Sequence, residues 1–229
     1  MKKKNDLDII TLFVRWGILD LYSKLAAKGS FNKIALAAGM ALCLAGVASG
    51  CGQQKENVTT MTIDPEGRVS YVIYEDFSED YYDATELSEM AEREIAEYNS
   101  EYISEKVALL GTEVIEDEDS SKVKLEMTFD SYSDFSNFNQ ESLFFGTVKE
   151  AREQGYNVST GLVDNKGEKL PDSYLEDHED RHIVITDDRA RIVTPYNIEY
   201  MSNGTVLNGK KEADISAITA DTVQLLLSK

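Results

Sequence analysis

Residues 122–129 read Lys122-Val123-Lys124-Leu125-Glu126-Met127-Thr128-Phe129, and their strict alternation decides the fold. Successive side chains of a strand leave on opposite faces, so Val123, Leu125, Met127 and Phe129 point one way while Lys122, Lys124, Glu126 and Thr128 point the other. One face packs on a core and one meets water, which is the pattern of an antiparallel sheet and not of a parallel sheet covered on both sides. The partner strand lies upstream. Val107–Ile115 is joined to this stretch by the acidic turn running from Glu116 to Ser121, and the two predict a hairpin.

Working towards the N-terminus, Asp83 and Glu86 have capping-box spacing, and Leu87, Met90, Ala91, Ile95 and Tyr98 follow at helical intervals. An amphipathic helix over about Thr85–Asn99 is expected. Before it, Val58–Ile63 and Val69–Glu75 flank the turn signal Pro65-Glu66-Gly67 and predict another hairpin. Towards the C-terminus, Tyr132, Phe135 and Phe138 suit a short helix under the sheet. Thr147 with Glu150 opens a third helix, Val148–Gln154, which Gly155 stops.

Residues 157–181 are polar and read as loop. The last third is strand-rich: His182–Thr186, Arg191–Thr194, Asn197–Met201, Ala213–Ala217 and Thr222–Leu227, with Val223–Leu227 also readable as a terminal helical turn. Helices set between hairpins, without alternating strand–helix units, indicate an α+β fold. The expectation is a mostly antiparallel sheet built of hairpins, with one long amphipathic helix and two short ones.

Charge divides the chain unevenly. Of its 23 Lys/Arg and 42 Asp/Glu, residues 1–50 hold seven and three, so the remaining 16 and 39 leave the rest near −23. A field of that sign repels nucleic acid and anionic headgroups, and no nucleic-acid partner is expected. Lys24, Lys28 and Lys33 precede the uncharged run IALAAGMALCLAGVASG, residues 34–50. Its apolar part is shorter than the roughly 20 residues of a membrane-spanning helix and reads as a signal h-region.

The run ends Val47-Ala48-Ser49-Gly50-Cys51. This resembles the lipobox of bacterial lipoproteins, with Ala48 where Leu is usual. The small residues let a peptidase approach the backbone, and Cys51 supplies the sulfur for a thioether to diacylglycerol. Two acyl chains are what stable anchoring requires. The domains expected are residues 1–50, a lipoprotein signal peptide with a long n-region; residues 51–57, the lipidated Cys51 and a tether; and residues 58–229, a single acidic α+β domain outside the cytoplasm. Cys43, the second of the two cysteines, falls within the leader, so the mature domain has no thiol chemistry. Within residues 1–30, Ile9, Phe13, Trp16 and Leu19 recur at helical spacing, interrupted by Gly17.

Two catalytic-looking matches stand in the sequence. His178-Glu179-Asp180-Arg181-His182 has the His-Glu-x-x-His pattern, which on a helix places two zinc ligands on one face with a Glu to polarise water. Its flanks are charged, and His182 opens the apolar run Ile183-Val184-Ile185, so the reading preferred is an acidic turn entering a strand. Gly204 to Lys211 nearly matches a phosphate-binding loop but lacks the final Ser/Thr, and a hairpin turn is expected there instead. The acidic clusters Glu116–Asp119 and Asp177–Asp180 lack the spacing of a calcium loop. No catalytic residues, metal or cofactor are expected.

The chain is similar to a group of small lipoproteins of uncharacterised function from Gram-positive, clostridial-type anaerobes. The likeness spans most of residues 34–215. It is carried by the lipobox, by Tyr81-Tyr82-Asp83, by Phe138-Asn139, by Phe145-Gly146-Thr147-Val148-Lys149-Glu150-Ala151, and by His182-Ile183-Val184-Ile185-Thr186 leading to Ile198-Glu199-Tyr200-Met201-Ser202. It implies a cell-envelope location and transfers no catalytic residue. The function expected is a non-catalytic binding or envelope-interaction lipoprotein, held at the cell membrane through Cys51 and facing outside the cytoplasm. The alternatives are an envelope hydrolase using His178, Glu179 and His182, or a small solute-binding lipoprotein.

Overall fold

The alternating stretch is the middle of a hydrogen-bonded ladder in the computed structural model, which describes residues 57–79, 82–116, 120–159 and 161–229. The readings made on residues 1–56, from the leader through Cys51 to most of the tether, lie outside the described residues. Along the first half run β1 (Thr60–Ile63), β2 (Val69–Asp76), α1 (Ala84–Asn99), β3 (Val107–Glu116), β4 (Ser121–Phe129), α2 (Tyr132–Asn139), β5 (Leu143–Thr147) and α3 (Val148–Glu153). The second half adds α4 (Tyr174–Asp177), β6 (His182–Thr186), β7 (Arg191–Val193), β8 (Ile198–Met201), β9 (Val206–Leu207), β10 (Glu212–Asp214) and β11 (Val223–Leu227). Val58–Lys229 form one compact unit.

The strands make two sheets, not one. A seven-stranded sheet has the order β3-β4-β2-β1-β7-β10-β9, and a four-stranded sheet the order β5-β6-β11-β8. All pairings are antiparallel except β1 with β7. In the larger sheet Val69, Tyr71 and Ile73 of β2 lie beside Phe129, Met127 and Leu125 of β4 and are buried with them, while Ser70, Val72 and Tyr74 face outward. α1 lies against β3 and buries Leu87, Met90, Ala91 and Ile95. Leu87, Met90 and Ile95 contribute roughly 1.5–3 kcal/mol each.

Both ends of α1 are chemically fixed. The Asp83 carboxylate accepts from the Thr85 and Glu86 amides at 2.8 and 3.2 Å. At the other end Asn99 Oδ1 accepts from the amides of Lys106 and Val107, and its Nδ2 donates to the Val107 carbonyl at 2.7 Å. One amide side chain therefore clamps the helix to the start of β3.

The smaller sheet has a different chemistry. β6 is buried from Ile183 to Thr186 and β11 from Val223 to Leu227, with no alternation, as expected of strands covered on both faces. On one side Phe144, Ile183, Ile185 and Leu226 pack with Val148, Ala151, Leu162, Leu170 and Leu175. α2 links the sheets: Phe135 packs edge-on against Tyr71 and Phe129, and Tyr132 against Phe144, at centroid distances of 5.2, 5.1 and 5.5 Å.

Three expectations need correction. The single sheet of hairpins is two sheets, because the buried runs of β6 and β11 pair with each other across 36 residues of sequence and not with their neighbours β7 and β10. The last third crosses between sheets four times, so of its consecutive strands only β9 and β10 are hairpin partners. Residues 157–181 are not purely loop: Leu162, Leu170 and Leu175 are buried, Val163 bridges to Lys169 and Met201, and α4 is a fourth helix.

Candidate functional site

The His-Glu-x-x-His segment does not lie on a helix. α4 ends at His178, whose backbone leaves the helical region at φ −133° and ψ 43°, and His182 is the first residue of β6. Each side chain is engaged by the fold. The His178 ring stacks on Tyr174 at 4.1 Å and 13°, with Nδ1 2.8 Å from the Tyr174 carbonyl. His182 lies between the rings of Phe145 and Tyr196, both at 5.2 Å, with Nδ1 2.9 Å from the Lys229 carbonyl. Glu179 accepts from Arg152 at 2.5 Å.

The backbone of this segment has a use of its own. Helix N-termini present amides without intrahelical partners, and α3 resolves them locally. Val148 N donates to the Arg181 carbonyl at 2.8 Å and Lys149 N to the Glu179 carbonyl at 2.9 Å. Glu150 N donates to the Thr147 hydroxyl, while the Glu150 carboxylate accepts from the Thr147 amide and hydroxyl, both at 2.8 Å. Those two bonds hold the Glu150 carboxyl below its ordinary range. The motif that resembles a zinc helix thus docks α3 onto the start of β6. Among the described residues no group of three or more His, Cys, Asp or Glu side chains could hold a metal ion.

The near match to a phosphate loop is a hairpin. Gly204 turns at φ +93° into β9, Gly209 at φ +97° leads back, and β10 pairs with β9. Lys211, which stands where a phosphate loop has its Ser/Thr, donates its amine to the Pro195 carbonyl at 2.6 Å. The Ser202–Thr205 turn and a second turn at Asp164–Gly167 border a polar cleft of about 480 Å³. Of the acidic clusters, Glu116 ends β3 with residues 117–119 outside the described set, and in Asp177–Asp180 Glu179 is paired as above.

A groove of about 340 Å³ opens at the end of the large sheet where β1 and β4 finish and β2 and β3 begin. Sequence reasoning missed it. Its floor is a row of small and hydroxylated side chains in register across four strands: Thr62 beside Ser70, Ser70 beside Thr128, Thr128 beside Ala108. Two ion pairs frame it, Arg68 with Asp64 and Lys106 with Asp130, each at 2.6 Å. The Asp130 carboxylate raises the Lys106 amine above its ordinary range. Desolvation pushes Asp64 up, but the bonds from Arg68 and the Glu66 amide outweigh it and hold the carboxyl low. Asp64 and Lys106 are thereby held in their charged forms, which suits electrostatic recognition and does not supply a base poised to take a proton.

Beside the groove, Tyr98 donates to Asp134 at 3.1 Å, and Asp134 also accepts from Ser131 at 2.6 Å. Burial, with Tyr102 and Asp134 alongside, raises the Tyr98 phenol. The network ties α1 to the start of α2. No helix among the described residues is long and apolar enough to cross a membrane. Comparison with known proteins brings no match of this chain to a protein-family model, to a curated protein or to a solved structure.

Proposed function

We propose that the chain is a membrane-anchored extracytoplasmic lipoprotein, attached through diacylglycerol on Cys51, whose acidic domain is a non-catalytic binding or envelope-interaction module. The observation that carries the binding reading is the use of the two histidines. Both are occupied in stacking and backbone contacts on different elements, and Glu179 between them is paired with Arg152. The anchor rests on Val47 to Cys51 following an apolar run.

Labelling cells with a palmitate analogue tests the anchor: wild type is expected to incorporate label and Cys51→Ser to lose it. Equal labelling of the two sinks the anchor. Zinc analysis of purified protein tests the other half. Stoichiometric zinc that disappears in His178→Ala, accompanied by hydrolytic turnover, would replace the binding reading with the hydrolase.

A further inference from the structure

The exposed apolar surface of the domain is gathered at one place. Five large hydrophobic side chains stand exposed among the described residues, and four of them fall between residues 102 and 114: Tyr102 at 39%, Ile103 at 111%, Leu110 at 55% and Val114 at 37%. The fifth, Val206, is on β9 at the opposite edge of the same sheet. Scattered apolar residues need no explanation, but a concentration along one element does.

Leu110 and Val114 are on β3, the terminal strand of the seven-stranded sheet, and Tyr102 and Ile103 are in the loop that leads into it. β3 has ten residues, and among the described strands only β4 pairs with it. A strand in that position presents backbone N–H and C=O groups to whatever approaches, and proteins usually blunt such edges with short strands, bulges or charge. β3 is long and carries Leu110 and Val114, and its blunting is confined to one bulge and the exposed Glu113 and Glu116. Its register on β4 slips between Leu109 and Gly111, so Leu110 has no partner there. The Asn99 clamp fixes the 100–106 loop at both ends, which holds Tyr102 and Ile103 at the head of the strand.

The surroundings specify the partner's charge. Residues 84–116, covering α1, the loop and β3, contain nine glutamates against Arg93 and Lys106. Lys106 is already paired with Asp130. An apolar edge in so acidic a frame suits an extended segment that alternates apolar and basic side chains. A second copy would bring the same nine glutamates and meet repulsion.

We propose that β3 is a docking edge, at which an extended Lys/Arg-rich segment of a partner protein adds as an eighth strand, with Leu110 packing against its apolar side chains. Strand addition of this kind takes affinity from main-chain hydrogen bonds and specificity from alternate side-chain contacts. The proposal rests on the reading of the domain as a binding module and names the surface and the partner class.

The test uses the purified full chain and three labelled peptides of about ten residues: alternating Val-Lys, the same with a central Pro, and alternating Val-Glu. Anisotropy is expected to give Val-Lys a Kd at least about tenfold tighter than the other two, because Pro removes a ladder donor and Glu meets like charge. Hydrogen exchange is expected to slow within residues 107–116. The variant Leu110→Lys, at an exposed position outside the core, should weaken Val-Lys binding about tenfold, and Val206→Lys should leave it unchanged. Equal binding of the Pro peptide, protection elsewhere, no binding, or β3 protection through dimerisation without peptide would each overturn the proposal. Cys51 labelling measured in parallel separates this failure from that of the lipoprotein reading: label without peptide binding removes the docking edge alone.

Discussion

Replacing Gly146 by alanine is expected to destabilise the domain, while the same replacement at Gly111 is not. Gly146 lies in β5 opposite Ile183 of β6. A Cβ built there falls 2.8 Å from Phe144 Cζ, 3.4 Å from Cε1 and 3.0 Å from Glu150 Oε2. Carbon atoms pack best at about 3.5–4.0 Å, so the methyl intrudes by roughly 0.7 Å or more. Phe144 has nowhere to retreat: it is fully buried, with Tyr132 at 5.5 Å and Tyr156 at 4.9 Å. Glu150 cannot swing aside without weakening the capping box that starts α3.

Overpacking a tight core costs about 1–3 kcal/mol. Loss of the cap would add about 0.5–2 kcal/mol. For a domain of about 170 residues a kcal/mol moves Tm by about 2–4 °C, so the overpacking alone predicts a fall of about 2–12 °C. At Gly111, just past the bulge in β3, an added Cβ meets no atom within 4 Å. Alanine there reduces the freedom of the unfolded chain and should stabilise by about 0.4–1 kcal/mol. Thermal melts of both variants followed by circular dichroism at pH 7 provide the comparison. A Gly146→Ala protein melting within about 1 °C of wild type, or a Gly111→Ala protein falling as far as Gly146→Ala, would refute the packing argument.

Gln224 is buried, accepts from the Ser159 amide and donates to the Asn157 carbonyl, both at 2.8 Å. Gln224→Leu should cost about 1–3 kcal/mol for each group it orphans, and amide exchange at Ser159 should rise; unchanged exchange there would show that the side chain does not hold the loop. Because the folded-state Glu150 carboxyl is held low by the Thr147 amide and hydroxyl, its contribution is present above the unfolded value of about 4.3 and is lost as pH falls through the lower folded value. The stability gap between wild type and Glu150→Gln, measured by urea melts, should therefore be wider at pH 7 than at pH 3, and a gap that is constant or widens in acid contradicts that sign.

The parts of the fold written in local chemistry were readable. β2 and β4 alternate because water covers one face, and Asp83 and Thr147 announce their helices through the oxygens that cap them. β5 was not readable. Leu143-Phe144-Phe145 is a short apolar run with no alternation, and its strand character comes from pairing with β6, some 40 residues downstream. The separation into two sheets was hidden for the same reason. β6 and β11 are apolar on both faces, so their sequences say that they are buried and not which neighbours bury them.

The candidate surfaces follow the same division. The spacing of His178 and His182 is a zinc signature only if the residues between them are helical, and the Ile183-Val184-Ile185 run already argued for a strand at His182. Tertiary pairing then recruits the segment's carbonyls to α3, a use that no side-chain pattern records. The edge at β3 was illegible for the opposite reason. Val107-Ala108-Leu109-Leu110 reads as a run to be buried, and in most sheets it would be. It is exposed because β4 gives its other side to β2, which leaves β3 last in the order, and because the register slip turns Leu110 out of the alternation. Exposure at an edge is a property of strand order, which is fixed by contacts far apart in sequence. A strand left last in its sheet with Leu110 exposed, beside a glutamate-rich helix and loop, therefore carries the docking proposal further than either catalytic-looking motif carries a reaction.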